Sequence, residues 1–318
     1  MFFKLCGTID SIDEKRWQKL KKVIACIITT AFLFGTMEIA LKMGGSTFDS
    51  LQLTGLRFLI GGAVLAPMAI KEYNENFRDR GEKLSMKDYG WLFLVGCMCI
   101  PVSMLLFQLG IERCNASTAA SIMCLNPIFT MAIAATFTNE HMDRHKYCSV
   151  VLGLIACVFM MRPWDIQEGN SLIGLLLVLG ASITFGAYTV MGKKSLTRIG
   201  TFTQTCVSFV MGSIVLLSIT ALSGRPVFSG MTESPLLLAY IGIVVTGIGY
   251  LTYFIAIKNS DATTGSLTFF VKPAIAPVLA VIILHEHVMW NTIIGIILLL
   301  TASFITINDA FKARRATA

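Results

Sequence analysis

The chain has 318 residues, of which 55% are hydrophobic and 14% are charged, and its formal net charge is +7. A soluble domain carries about 25% charged residues, so this chain has too few polar side chains to cover a globular surface. The composition therefore excludes a soluble enzyme, and the abundance of apolar residues excludes an intrinsically disordered chain. The class that remains is a membrane protein with several spans of about 20 apolar residues each.

Ten apolar runs follow one another along the chain, after a mixed and basic segment at residues 1–22 that lacks the pattern of a cleavable signal peptide. The runs are continuous, and most are about twice as long as the alternating strands of a membrane barrel. The sequence therefore predicts an all-α integral membrane protein with ten transmembrane helices, at residues 23–43, 51–70, 89–111, 116–137, 147–161, 172–191, 201–222, 235–257, 262–284 and 289–308.

Basic residues are distributed unevenly between the two sides that these spans define. Twenty of the 26 lysines and arginines lie in the segment 1–22, in the tail 309–318 or in alternate loops on the same side. Three lie on the other side, and three lie within spans, namely Lys42, Arg57 and Lys272. Because basic loops stay in the cytoplasm, we expect both termini to be cytoplasmic. The short loops suit the inner (cytoplasmic) membrane of a bacterium.

The two halves of the chain resemble each other. An offset of 146 residues aligns Asn126-Pro127 with Lys272-Pro273, and an offset of 151 aligns Phe34-Gly35 with Phe185-Gly186. Chance similarity between apolar helices is the alternative, but it does not account for two registers that are each anchored by a glycine or a proline. We therefore expect two five-helix repeats. Because five is odd, the second repeat is inverted, which is an architecture of secondary transporters. The repeats are predicted at residues 23–161 and 172–308.

Some of these residues together resemble a known family. Phe34-Gly35 followed by Lys42, the pair Arg57-Phe58, and proline-containing fourth and ninth helices that end at Glu140 and Glu286 are similar to the EamA-type transporters of the drug/metabolite transporter superfamily. The resemblance covers residues 23–308. It implies a carrier of five plus five inverted helices that moves small metabolites, amino acids or drugs. One departure is Glu38, at a position where members more often have an apolar or aromatic residue.

Asn126 and Lys272 lie about ten residues into the fourth and ninth predicted helices, so a rise of about 1.5 Å per residue places both near the middle of the bilayer. Pro127, Pro273 and Pro277 interrupt backbone hydrogen bonding there, and helices interrupted at matching positions of two repeats indicate a transport site. Lys272 has no acidic partner at its predicted depth. We therefore interpret it as the cation that receives a substrate carboxylate. The alternatives are a structural ion pair and a lysine held neutral by burial.

Glu38 and Arg57 are placed by the same count nearer the outer surface, roughly 7–12 Å deep. They lie on consecutive antiparallel helices and could pair with each other, while Lys42, one turn after Glu38, extends outward. A structural ion pair is one interpretation. The other is that Glu38 takes up and releases a coupling proton as an outer gate opens, with Arg57 beside it.

Other polar and aromatic side chains within the spans are candidates to line a substrate cavity, although each could equally hydrogen-bond a neighbouring helix. They are Gln108, Tyr188, Gln204, Tyr250 and Tyr253, together with Asn126. No motif of an intramembrane metalloprotease and no Walker A motif is present in the sequence, so neither an enzyme nor an ATP-driven pump is predicted.

The sequence predicts a secondary transporter that moves small carboxylate-bearing metabolites, such as amino acids, by alternating access and in the export direction. The alternative is a proton-coupled exporter of cationic or aromatic drugs. A receptor or scaffold stays open as a third class, which a measurement of solute flux would distinguish. The predicted partners are a small-molecule substrate, the lipid bilayer and a coupling proton, without nucleic acid, metal or cofactor.

Overall fold

The computed structural model of the chain describes residue 18, residues 21–137, 144–161 and 169–260, and separate residues between 262 and 305. This described part is helical and contains no β-strand. Seven of its helices are long and apolar enough to cross a membrane. The chain is therefore a multi-pass membrane protein.

The helices are labelled in chain order as α1 (Lys21–Gly44), α2 (Ser50–Asn76), α3 (Met86–Ile111), α4 (Ala116–Phe137), α5 (Arg144–Met161), α6 (Leu172–Ile199), α7 (Thr201–Leu222), α8 (Pro235–Asn259) and α9 (Thr268–Val271). All except α5 and α9 belong to the seven candidate spans. The α9 helix falls in the ninth predicted run. That run and the tenth are described only in part.

The α2 and α7 helices pack against each other in antiparallel directions. Just before α2, the carboxylate of Asp49 lies 2.9 Å from the guanidinium of Arg225, which follows the end of α7. Near the other end of α2, the carboxylate of Glu72 accepts a hydrogen bond of 2.9 Å from the backbone N–H of Thr201, the first residue of α7. The start of each helix is therefore held to the end of the other.

Two glycines allow close crossing of this helix pair with α3 and α8. A methyl group on Gly61 of α2 would come within 3.1 Å of the Gly242 carbonyl oxygen in α8, and one on Gly212 of α7 would come within 2.5 Å of the Gly96 carbonyl oxygen in α3. Only glycine lets backbones approach so closely. The offsets found in the sequence relate these contacts to each other, because 151 aligns Gly61 with Gly212 and 146 aligns Gly96 with Gly242.

The α3 and α8 helices each contain a π-helical segment, at Met98–Met104 in α3 and Tyr240–Ile248 in α8. Such wide turns are rare and frequent at functional sites. Here they lie beside the centre of the molecule, where the hydroxyl of Tyr250, just after the α8 segment, donates to the sulfur of Met104 at 3.0 Å.

The α4 helix is broken in two. Its first piece, Ala116–Met123, ends at a turn of two residues, and its second piece, Asn126–Phe137, begins immediately afterwards. Pro127 lies in the first turn of the second piece, where its missing N–H leaves no intrahelical hydrogen bond unmade. The other two prolines of the predicted interruption, Pro273 and Pro277, lie outside the described residues.

Candidate functional site

An aromatic cluster occupies the centre of the helices. It contains nine wholly buried rings from α1, α2, α6, α7, α8 and α9, namely Phe34, Phe58, Phe185, Tyr188, Phe209, Tyr250, Tyr253, Phe254 and Phe269. Tyr250 lies at its middle, with the ring centroids of Phe34, Phe58 and Phe209 at 5.0, 5.2 and 5.2 Å. Edge-to-face contacts of this kind hold the rings in defined orientations, so the cluster forms a rigid apolar wall around the polar groups beside it.

Lys272 and Glu38 form an ion pair next to this wall, in which the Lys272 ammonium donates to a carboxylate oxygen of Glu38. Both side chains are 0% exposed. The expectation that Lys272 lacks an acidic partner is therefore wrong. It rested on counting residues along each helix separately, and this count registers neither how the helices tilt nor how far a lysine side chain reaches.

Two phenylalanine rings also lie near the Lys272 ammonium. The ring centroids of Phe269 and Phe107 lie 5.6 and 5.8 Å from its nitrogen, within the range of a cation–π interaction. The second carboxylate oxygen of Glu38 has no hydrogen-bond partner among the described residues. Buried polar atoms normally have a hydrogen-bond partner. This oxygen of Glu38 is therefore an acceptor that no described residue uses.

Arg57, from α2, is the second buried cation of this region and is 0% exposed. Its guanidinium lies 4.7 Å from the centroid of the Phe58 ring and makes a long contact of 3.6 Å to the sulfur of Met37. Its Nε and Nη2 atoms have no hydrogen-bond partner within the described part of the chain. Glu38 is near enough to interact with it electrostatically, but the carboxylate of Glu38 is bonded to Lys272 instead.

Lys42, which was expected to extend outward beside Glu38, donates to the carbonyl oxygen of Cys114 at 3.2 Å. It therefore ties the end of α1 to the loop between α3 and α4.

Asn126 lies on the second piece of α4 and links it to α6. Its amide nitrogen donates to the Ser182 carbonyl oxygen at 3.1 Å, and its amide oxygen accepts from the Thr130 hydroxyl at 3.2 Å. The side chain is thus engaged on both sides, once with the neighbouring helix α6 and once within its own helix piece. This arrangement matches the alternative given above for polar residues within spans, rather than an open cavity lining.

Three of the predicted lining residues belong to the aromatic cluster. The Tyr253 hydroxyl lies 2.8 Å from the hydroxyl of Thr189, and the Tyr250 hydroxyl is bonded to Met104 as described. The Tyr188 hydroxyl has no hydrogen-bond partner among the described residues. All three tyrosines are therefore central.

Gln108 and Gln204 each make a hydrogen bond near one end of a helix. The Gln108 amide nitrogen donates to Glu112 at 3.0 Å, near the end of α3. The Gln204 amide oxygen accepts from Ser195 at 2.6 Å, close to the start of α7. Each also has one buried amide atom without a partner among the described residues.

The phenylalanines of the cluster are the part of the centre that the sequence reasoning did not propose. A signal for them existed in the sequence, because the offset of 151 aligns Phe34 with Phe185 and Phe58 with Phe209. In the structure Phe58 and Phe209 are in contact, with ring centroids 4.8 Å apart, and Phe34 and Phe185 both contact Tyr253. Equivalent phenylalanines of the two halves thus converge on one point.

Comparisons with known proteins agree with this architecture. The sequence profile of the EamA-like transporter family matches the chain twice, at residues 21–162 and 172–308. An uncharacterized transporter of Clostridium kluyveri is 36% identical, over 92% of this chain and 96% of its own length. Another, from Archaeoglobus fulgidus, is 24% identical over 91% of this chain and 99% of its own length.

The fold has also been seen in a crystal structure. A chain of 18% sequence identity superimposes with a TM-score of 0.67, covering 94% of this chain and 99% of the other. At this identity the likeness concerns the fold alone.

The two profile matches follow each other along the sequence, so the family's repeat is present twice. The chain belongs to the EamA-like transporter family and is a multi-pass membrane transporter.

Proposed function

We propose that the protein is a secondary transporter that exports small carboxylate-bearing metabolites, such as amino acids, across the cytoplasmic membrane by alternating access. The observation that carries this proposal is the buried ion pair between Glu38 of α1 and Lys272. It joins the first half of the chain, residues 23–161, to the second half, residues 172–308, beside the aromatic cluster. The segment 1–22 and the tail 309–318 are placed in the cytoplasm, as the distribution of basic residues favours.

An inverted arrangement of ten helices in two halves is part of the proposal. The antiparallel packing of α2 and α7 supports it, since each is the second helix of its half. Equivalent helices run in opposite directions when two repeats are inverted and in the same direction when they are parallel.

Reciprocal contacts between the halves also support the inversion. A methyl group on Gly35 of α1 would come within 2.8 Å of Ile275, and one on Gly186 of α6 would come within 3.2 Å of Phe129 in α4. The sequence offsets align Gly35 with Gly186 and Phe129 with Ile275. Each half therefore presents the same pair of surfaces to the other, as two related repeats do around a twofold axis.

In the proposed mechanism, the substrate carboxylate competes with Glu38 for the Lys272 ammonium. Removing one partner from a buried pair costs about 3–5 kcal/mol, so Glu38 can leave only if a second anion replaces it. Glu38 then requires a proton or another cation, which gives it the role of a proton-coupling residue. Breaking the contact between α1 and residue 272 would free the two halves to move around the site.

Ligand-induced thermal stabilisation of the purified protein tests the proposal. A ligand at 100 times its dissociation constant stabilises the protein by about 2.7 kcal/mol. We expect carboxylates from a metabolite library to stabilise wild type but not Lys272→Met. Lys71→Met is the matched control, because Lys71 is 80% exposed and pairs only loosely with Glu75 of its own helix. Equal stabilisation of Lys272→Met and wild type by carboxylates would remove Lys272 from the binding site.

A second candidate function, proton-coupled export of cationic or aromatic drugs, is favoured by the aromatic cluster and by the unused oxygen of Glu38. In that case lipophilic cations would stabilise wild type and Lys272→Met alike, and Glu38→Gln would abolish the effect. The same library distinguishes the two functions.

A further inference from the structure

Three wholly buried residues of charged type, Glu38, Arg57 and Lys272, are referred to here as the central charge set. Among the described residues, one further charged residue is buried, namely Asp88 at the start of α3. It is paired with Arg198 at 3.0 Å. Glu38 neutralises Lys272. The central charge set therefore carries one net positive charge, and that charge belongs to Arg57.

Arg57 cannot relieve this imbalance by losing a proton, because a guanidinium stays protonated in proteins. Nor can it reach water, since its side chain is 0% exposed. Its free Nε and Nη2 atoms lie on one edge of the guanidinium plane, which is the edge that binds the two oxygens of a carboxylate side by side. That edge has no partner among the described residues, and Glu38, which interacts with Arg57 electrostatically, is bonded to Lys272 instead.

We propose that the transported solute completes the central charge set by carrying one net negative charge. When the solute carboxylate pairs with Lys272, Glu38 pairs with Arg57 instead. The closed site then contains two anions, the solute and Glu38, and two cations, Lys272 and Arg57. This inference rests on the function proposed above and narrows its substrate class. Closing a site of low dielectric around an unbalanced charge is unfavourable. A zwitterionic amino acid leaves the set with one positive charge, a dianion leaves it with one negative charge, and a monoanion leaves it neutral.

The body of the solute is apolar and preferably aromatic. Each cation of the set lies against ring faces, Arg57 at 4.7 Å from Phe58 and Lys272 at 5.6 Å from Phe269. A carboxylate bound there would place the atoms attached to it against the aromatic cluster, which offers edge and face contacts to a ring. An ammonium group on the same solute would meet two cations. The geometry therefore favours an aryl-substituted monocarboxylate over an amino acid.

Four probes with a common phenyl group test the inference: 3-phenylpropanoate with one negative charge, L-phenylalanine as a zwitterion, benzylmalonate with two negative charges and 2-phenylethylamine with one positive charge. Their apparent dissociation constants follow from thermal stabilisation of the purified protein at neutral pH. We expect wild type to bind 3-phenylpropanoate at least about tenfold more tightly than each of the others, a tenfold ratio being readily resolved on this scale.

Variants of the charge set should shift this preference in a defined order. Arg57→Met removes the net positive charge, so its preference should move towards L-phenylalanine, while Glu38→Gln adds one positive charge and should favour benzylmalonate. The double variant Arg57→Met/Glu38→Gln restores one net positive charge and should again prefer 3-phenylpropanoate. Lys71→Met, at an exposed site, should behave as wild type. Size-exclusion chromatography identifies any variant that misfolds, and the wild-type ranking then decides alone.

The outcomes separate this inference from the function on which it rests. If L-phenylalanine binds as tightly as 3-phenylpropanoate and both need Lys272, the proposed function as a carboxylate transporter is supported. The inference that the solute must carry one net negative charge is then overturned. If 2-phenylethylamine alone stabilises the protein, both fail and the drug exporter takes their place. The inference is also overturned if none of the four probes stabilises the protein, or if the variants with altered charge prefer the same probe as wild type.

Discussion

Glu38 and Lys272 are each wholly buried, so the free energy of their ion pair depends on both charges being present together. The attraction between two buried charges offsets the loss of their hydration only when both charges are present. Replacing both by uncharged groups of similar size is often neutral or stabilising. The pair therefore contributes little net stability, while each residue alone is a large liability. This property suits a contact that opens during a transport cycle.

A double-mutant cycle tests this account of the pair. We expect Glu38→Gln to lower the free energy of unfolding by about 3–5 kcal/mol, because it leaves the Lys272 ammonium buried without a counter-charge. The double variant Glu38→Gln/Lys272→Met should recover most of that loss. Chemical denaturation in detergent measures both values. A double variant no more stable than Glu38→Gln would mean that the two charges are not coupled in the folded protein.

At the scale of the single helix, α7 begins without a cap of its own. Gly200, which precedes it, has no side chain, and the carboxylate of Glu72 from α2 accepts hydrogen bonds from the N–H groups of Thr201 and Thr203 at 2.9 and 2.8 Å. A negative charge at this end also complements the helix dipole. Glu72 thus performs for α7 what Asp49 performs within its own helix, where it caps α2 through the N–H of Leu51.

Gly200 allows this arrangement, and its replacement by alanine measures it. Gly200 has a φ of +99°, and a methyl group there would collide with the Glu72 carboxylate. Gly224 is the matched control, since it has a φ of +68° and nothing within 4 Å of a methyl group. A backbone with positive φ is strained for alanine and should cost each variant about 1–3 kcal/mol, and Gly200→Ala should lose more. Equal shifts of the two thermal midpoints would show that Glu72 moves aside freely.

The sequence predicts the positions of the helices better than it predicts the side-chain contacts between them. Continuous apolar runs indicate the candidate spans because backbone hydrogen bonds must be satisfied within each helix, and Asn126-Pro127 indicates the region in which α4 breaks. The pairing of Glu38 with Lys272 depends instead on helix tilt and side-chain reach. Similarly, no hydropathy pattern specifies the π-helical turns Met98–Met104 and Tyr240–Ile248, which direct Met104 and Tyr250 to the centre.

At the scale of the whole molecule, two sets of contacts hold the halves together at opposite ends of the α2–α7 pair. One set joins Glu72 to Thr201 and to Lys258, the latter at 3.9 Å. The other joins Asp49 to Arg225, and Gln52 to the Ser229 carbonyl oxygen at 2.6 Å. Both sets are formed in this conformation. In the alternating-access cycle proposed above, each set would open while the other stays intact.

Labelling of Cys99 tests whether these two sets act as opposing gates. Cys99 is wholly buried beside Arg57 and Tyr188, so in a variant with no other cysteine it should react slowly with a membrane-impermeant maleimide. We expect Arg225→Ala to raise its labelling several-fold from the outer side of oriented vesicles, and Glu72→Ala to raise it from the cytoplasmic side. Glu75→Ala controls for the loss of a carboxylate, because Glu75 lies one turn away and its ion pair among the described residues is with Lys71 of its own helix, at 3.9 Å. An increase from the same side for both variants would mean that the contacts stabilise the fold as a whole rather than gate it.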